Sequence, residues 1–403
     1  MRSAHRLAGP LPRRVRLKRA LPALLTGLLT AGLQLVGALE ARSAPLRVGV
    51  WLTNSPSPLY YEPARIDRAM AELAEAGFNT VYPNVWSRGA TFHRSRWAPM
   101  EPTLAERNPN LDPICRISKA ARRRGLKVIP WFEYGLMEPA GAAVVRNNPE
   151  WVLQKADGSS TVTLHDRPMA WLNPAHPGVR QRFIGLISEI VQRCGVDGIQ
   201  LDDHFAWPVE LGYDPYTRAL YRQDTGREPP ANTTDRAWMT WRRHQLTGLL
   251  RELRETLKAK GNGSPYVSLS PGPFRFAYNH WLQDWEIWAL GGLIEELIVQ
   301  NYAYSVAGYA KDLNQPALVK ARSWGIPVEI GLLAGFGGRT TPMPVLTQKA
   351  RLAAERGHGV IYFYWEGLWG QFAGPEGGEA RRAGFRRLHE ASFPDPYPRR
   401  GRP

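Results

Sequence analysis

The 403 residues are 43% hydrophobic and 10% aromatic, enough to bury a large core in one domain of barrel size. The formal net charge is +16, but residues 1–44 hold eight Arg or Lys against one acid, Glu40, and Arg399, Arg400 and Arg402 lie in a Pro-rich tail. The body is left without a concentrated basic stripe, which argues against a nucleic-acid partner.

The chain begins like an export signal. Arg2, Arg6, Arg13, Arg14, Arg16, Lys18 and Arg19 precede an apolar run from Ala20 to Leu39, with small residues near Ala38, Ala41 and Ala44. Residues 1–44 read as a signal peptide or an N-terminal anchor, the apolar run being near spanning length; contact with a membrane is expected only through this segment if it is kept. An exported protein, periplasmic or extracellular, is expected.

From Leu46 onward apolar strands alternate with amphipathic helices, the pattern of parallel β/α units. Strands are predicted at 46–53, 79–86, 126–133, 196–204, 265–271, 295–302, 326–334 and 358–365, and helices at 63–76, 112–124, 177–194, 233–260, 280–290, 310–323 and 343–356. Gly77, Gly125, Gly195, Gly325 and Gly357 fall between a helix and the next strand, where a left-handed stop is needed. Eight strands close a (β/α)8 TIM barrel, an α/β fold, over residues 45–391. A long insertion at about 134–176, after strand 3, holds Trp151, His165, Asp166, Trp171 and His176. Residues 392–403 are expected to be irregular. Cys115 and Cys194 fall near opposite ends of neighbouring parallel helices, roughly 15 to 20 Å apart in height, so two unbridged buried thiols are expected.

The chemistry concentrates in Val196-Asp197-Gly198-Ile199-Gln200-Leu201-Asp202-Asp203-His204-Phe205. Alternation puts Gln200, Asp202 and His204 on one face and Ile199, Leu201, Asp203 and Phe205 on the other, so Asp202 points inward if Ile199 and Leu201 pack on helices. Glu133 ends the third strand and Glu366 follows the eighth. Glycosidic cleavage needs two acids in different protonation states. Asp202 is therefore the candidate nucleophile or intermediate stabiliser, with Glu366 or Glu133 as proton donor; Asp203 points away while the strand stays regular. Asp284 is expected to start or brace a helix. Trp51, Trp86, Trp131, Tyr302 and Trp365 offer flat faces suited to pyranose rings, and Asn84, His204 and Gln300 offer polar contacts. The histidines match no zinc spacing, and Gly335-Phe336-Gly337-Gly338-Arg339 lacks the lysine of a phosphate loop, so no metal or cofactor is expected. That glycine-rich stretch reads as a flexible loop with Arg339 set to meet an anionic substrate. A non-catalytic glycan-binding protein on the same scaffold and a metal-dependent deacetylase are the competing readings.

Val48-Gly49-Val50-Trp51, Gly77-Phe78-Asn79-Thr80-Val81-Tyr82, the Asp197-to-Asp203 run with Trp207-Pro208 close behind, and Ser268-Leu269-Ser270-Pro271 resemble the glycosyl hydrolase-like 10 family of exported bacterial proteins. The likeness covers about residues 46–375. It implies a TIM barrel that hydrolyses glycans, some relatives acting on peptidoglycan strands from which the peptides have been stripped. A polysaccharide or peptidoglycan glycan is thus the expected partner.

Overall fold

Short runs of β-branched and aromatic residues form the staves of a closed parallel barrel. The computed structural model describes residues 46–54, 57–164, 166–260 and 265–394. The leader predicted at 1–44, His165 and residues 395–403 lie outside the described residues. The staves are β1 (Val48–Leu52), β2 (Thr80–Pro83), β3 in two pieces (Lys127–Val128 and Trp131–Phe132), β4 (Gly198–Asp202), β5 (Tyr266–Ser270), β6 (Glu296–Gln300), β7 (Val328–Leu333) and β8 (Val360–Phe363). Pairing runs in parallel from the first piece of β3 through β2, β1, β8, β7, β6, β5 and β4 to the second piece of β3. Thr80 and Val81 pair with Lys127 and Val128 at one end, and Gln200 and Leu201 with Trp131 and Phe132 at the other. A bridge from Asn84 to Trp131 joins the second piece to β2 as well, so the cylinder closes on itself. Pro130 interrupts the stave because it has no N–H for the ladder.

The pleat sorts side chains into two cores. Val48, Val50, Leu52, Ile199 and Leu201 face outward onto helices, whereas Trp51, Tyr82, Ile129, Trp131, Ile298 and Ile361 fill the barrel. The outer layer includes α1 (Pro63–Glu75), α2 (Pro113–Arg123), α3 (Pro177–Arg193), α4 (Arg236–Lys260), α5 (Met343–Ala354) and α6 (Gly378–Ser392). The first three open on a proline, whose missing N–H costs nothing in a first turn. His176, predicted to lie in the insertion, caps α3 by accepting from Gly178 N at 3.1 Å. All five glycines predicted as helix stops carry positive φ, from +58° at Gly195 to +82° at Gly77.

Some elements depart from the sequence-based reading. The helix expected at 280–290 is two pieces, Phe274–His280 and Trp285–Leu290, parted by Leu282 at φ +53° and restarted where Asp284 caps Ile287 N. That at 310–323 splits where Pro316 opens a new turn. A helix at Pro215–Thr225, capped by Asp214, escaped prediction, as did α6. Between β3 and α3, Met137–Pro139, Val162–Leu164 and Arg167–Trp171 form a three-stranded antiparallel sheet. Gly335-Phe336 and Arg339-Thr340, in the stretch expected to be a flexible loop, pair as a short hairpin across Gly337 and Gly338 at φ +58° and +81°.

The cysteine expectation is overturned. Cys115 and Cys194 form a disulfide with Cα atoms 4.5 Å apart. The helices are not level neighbours: the first turns of α2 stand beside the carboxyl end of α3. Arg193 reaches Asp112 at 2.9 Å, and the Gly195 carbonyl accepts from Ser118 Oγ and Arg122 Nη1.

A charged network fills the floor of the barrel. Arg47 donates to Glu296 at 2.8 Å, and Tyr82 Oη donates to the same carboxylate at 3.0 Å. Glu329, 4% exposed, accepts from Gly359 N. Burial, and then the Glu296 carboxylate, push Glu329 up to about 8.

Candidate active site

At the opposite rim β4 stops at Asp202, and the chain turns at once, with Phe205 N donating to the Asp202 carbonyl at 3.1 Å. Gln283 pins the turn: its Nε2 donates to the carbonyls of Asp202 at 3.1 Å, Asp203 at 3.3 Å and Phe205 at 3.0 Å. Regular alternation therefore ends one residue too early to keep Asp203 on the outer face. The two carboxyl groups converge and share a hydrogen bond. The exit of β3 packs against this turn because Gly135 stands there at φ +50°; a Cβ would lie 2.5 Å from the His204 carbonyl carbon. That approach lets His204 Nδ1 meet the Glu133 carbonyl at 2.9 Å.

Three acids thus gather in three environments. Asp202 is the deepest at 3% exposure; one oxygen accepts from the Trp131 indole and the other from Asp203 N at 2.8 Å. Burial, then the adjoining Asp203 charge, drive its carboxyl well above the ordinary range. Burial also pushes on half-buried Asp203, but His204 and hydrogen bonds including those from Asp202 and Gln300 outweigh it and hold that carboxyl below its usual value. Glu133 accepts from Asn84 Nδ2 at 2.5 Å, and burial raises it despite opposing contributions from His204, Arg88, Ser87 and Asn84. Like charges this close cannot all ionise together, so a proton stays in the cluster. Burial, and then the charges of Asp202, Asp203 and Glu133, raise the Tyr302 hydroxyl far above normal.

The predicted residues divide. Asp202, Asp203, Glu133, His204, Asn84, Gln300, Tyr302 and Trp131 come together. Trp51 lies within the barrel, 1% exposed, its indole donating to Gln200 Oε1 at 2.6 Å, so it supports the site and presents no face to a ligand. Trp86 belongs to the outer core under the Arg182 guanidinium. Glu366 and Trp365 line a separate cavity of about 360 Å³ against Arg65, Arg68 and Glu72 of α1. There the Glu366 carboxylate accepts from Ser57 Oγ at 2.7 Å and Gln371 N at 3.2 Å.

Sequence reasoning missed Arg88, Ser87 and Gln283. Arg88 sits at φ +53°, unusual for a side chain with a Cβ, and hydrogen-bonds Tyr134 beside Glu133. Its signal was the Ser87-Arg88-Gly89 turn straight after a strand; Gln283 carried none. Among the described residues, donor atoms of Asp202, Asp203 and His204 lie within 4.8 Å of one another, as do those of Asp112, Cys115 and Cys194. The disulfide closes the latter set, and in the former both Asp202 oxygens are already engaged by N–H donors. The former arrangement suits a proton-sharing pair.

The chain is 24% identical over 266 residues to glycosyl hydrolase DigH of Escherichia coli (strain K12), an alignment taking in 59% of this chain and 57% of that one. It thus spans little more than half the length of the curated relatives it matches. Among solved structures it is similar to the glycoside hydrolase domain of PgaB (BpsB) from Bordetella bronchiseptica, with a TM-score of 0.64 at 14% identity, covering 84% of this chain and 98% of that one. It is also similar to alpha-L-fucosidase isoenzyme 2 from Paenibacillus thiaminolyticus, with a TM-score of 0.61 at 16% identity, covering 87% and 49%. At these identities the likeness shows the barrel fold. The Glycosyl hydrolase-like 10 family model matches residues 45–353, from β1 into α5, and the chain belongs to that family.

Proposed function

We propose that the protein is an exported glycoside hydrolase that cuts a cell-wall or extracellular polysaccharide, with peptide-free peptidoglycan strands as the substrate its family resemblance favours. The observation that carries this reading is the divergence of three neighbouring acids, Asp203 lowered and Glu133 and Asp202 raised. Pairs pushed apart in this way supply one acid and one base at a single pH.

Glu133, held by Asn84 and more accessible than Asp202, is the proton donor. Its proton passes to the glycosidic oxygen as the bond from that oxygen to the anomeric carbon breaks, the electron pair leaving with the oxygen. Asp203, the anionic member, stabilises the positive charge that develops on the ring. Water then supplies hydroxyl to the anomeric carbon and returns a proton to Glu133. Asp202 lies beneath Asp203 and positions it through their shared hydrogen bond, a role that replaces its expected one as nucleophile. Glu366 has no part in this reading.

The test is digestion of peptide-free glycan strands and chitooligosaccharides in ¹⁸O-labelled water, read by mass spectrometry. Labelled reducing ends, lost in Glu133→Gln, support the assignment. Binding without new ends identifies a glycan-binding protein, and loss of acetyl groups that chelation prevents identifies a deacetylase.

A further inference from the structure

The ring surface does not end at the acids. Tyr302, whose hydroxyl feels the charges of all three carboxyl groups, lies 5.6 Å from Phe363, and Phe363 lies 6.3 Å from Trp131, the residue bound to Asp202. From Phe363 the series continues to Phe336 at 6.0 Å. Phe336 is 50% exposed and stands on the hairpin that Gly337 and Gly338 shape. On the second strand of that hairpin Arg339 stacks at 5.2 Å over Tyr304, which is 69% exposed, and donates to its hydroxyl. Tyr304 and Phe336 are thus two exposed aromatic rings on segments that leave β6 and β7 at the mouth, with a guanidinium fixed beside them.

The geometry points to an outer sugar subsite formed by Phe336, Tyr304 and Arg339, which takes a carboxylate-bearing pyranose of a chain already seated over Glu133 and Asp203. A flat exposed ring reached through packed rings from the reaction centre matches the apolar face of a sugar. Tyr304 holds the Arg339 guanidinium, whose remaining N–H groups can meet a carboxylate pairwise. The hairpin keeps ring and cation in register, so the subsite reads charge as well as length. This inference deepens the proposed glycan chemistry and rests on it.

Two exposed positions test it: Phe336→Ala and Arg339→Gln, each checked for an unchanged melting temperature. KM is measured on peptide-free glycan strands, which carry lactyl carboxylates, and on neutral chitooligosaccharides of matched length. Calorimetric Kd values are taken in parallel on the Glu133→Gln background. Phe336→Ala is expected to raise both constants about tenfold on long chains of either kind, with the effect growing as chains lengthen. Arg339→Gln is expected to raise them about five- to tenfold on the carboxylate-bearing strands alone. Wild-type constants in both variants overturn the subsite. If the wild type cleaves neither substrate, the calorimetry still decides between the outcomes, so failure of the reaction and failure of the subsite are told apart.

Discussion

Replacing Glu329 by glutamine should free the barrel floor from a dependence on pH. In the folded protein burial and the Glu296 carboxylate raise this group to about 8, against 4.5 when it is exposed in the unfolded chain. Between those values the folded state holds a proton that the unfolded state has released. Stability from this group is therefore complete below about pH 4.5 and is lost as pH rises to about 8. A difference of about 3.5 units corresponds to about 5 kcal/mol at most, and relaxation around the site reduces it to about 2 to 4 kcal/mol. The amide oxygen of Gln can still accept from Gly359 N, and it cannot ionise. Urea unfolding at pH 5 should show wild type and Glu329→Gln within about 1 kcal/mol, whereas at pH 9 the variant should be more stable by about 2 to 4 kcal/mol. Parallel stability curves for the two proteins from pH 5 to 9 would refute the reasoning, because the Glu329 proton would then have no part in folding.

Glu133→Gln should lower kcat by about 10² to 10⁴ on any glycan the wild type cleaves, read as new reducing ends. Asp202→Asn should cost less than Asp203→Asn in the same assay, since an amide mimics the protonated partner of the Asp202–Asp203 pair but cannot replace its anion; the reverse order would restore Asp202 as the reacting group. The rate should fall on the alkaline side as Glu133 loses its proton above the ordinary carboxyl range, and on the acid side only below the ordinary aspartate range, where Asp203 gains one. An initial-rate pH profile in which both limbs fall at ordinary carboxyl values would contradict the charge assignment. Cys115→Ser should destabilise the fold by about 2 to 4 kcal/mol in urea, given the 79 residues that separate the paired cysteines, and reductant should bring the wild type to the same level.

The barrel was legible because its signals are local and repeated. Val48, Val50 and Leu52 alternate with Trp51 in a period of two, proline opens the helices before β2, β3 and β4, and a left-handed glycine closes them. The inward aim of Asp202 followed from the same alternation. What sequence could not carry was the point at which alternation stops. Asp203 changes face because Gln283, 80 residues away, holds the turn after Asp202, and no local pattern encodes that contact. Glu366 was placed by its position after a strand; the short helix at Trp365–Leu368 and its hydrogen bond from Ser57 instead direct it toward α1. The disulfide was missed for a kindred reason, since the relative height of α2 and α3 depends on packing that helical periodicity leaves open.

The stave broken at Pro130 gives the covalent bond between α2 and α3 a meaning beyond stability. One of those helices leads into the first half of β3, and the other leads into the neighbour of its second half. The sulfur link therefore stitches, from outside, the two helices that feed the halves of the broken stave and its neighbour. Trp131, which grips the deepest acid, lies just past that gap. A thiol reagent mild enough to leave the cylinder folded would still be felt where the chemistry is done, as a change in turnover that precedes any melting.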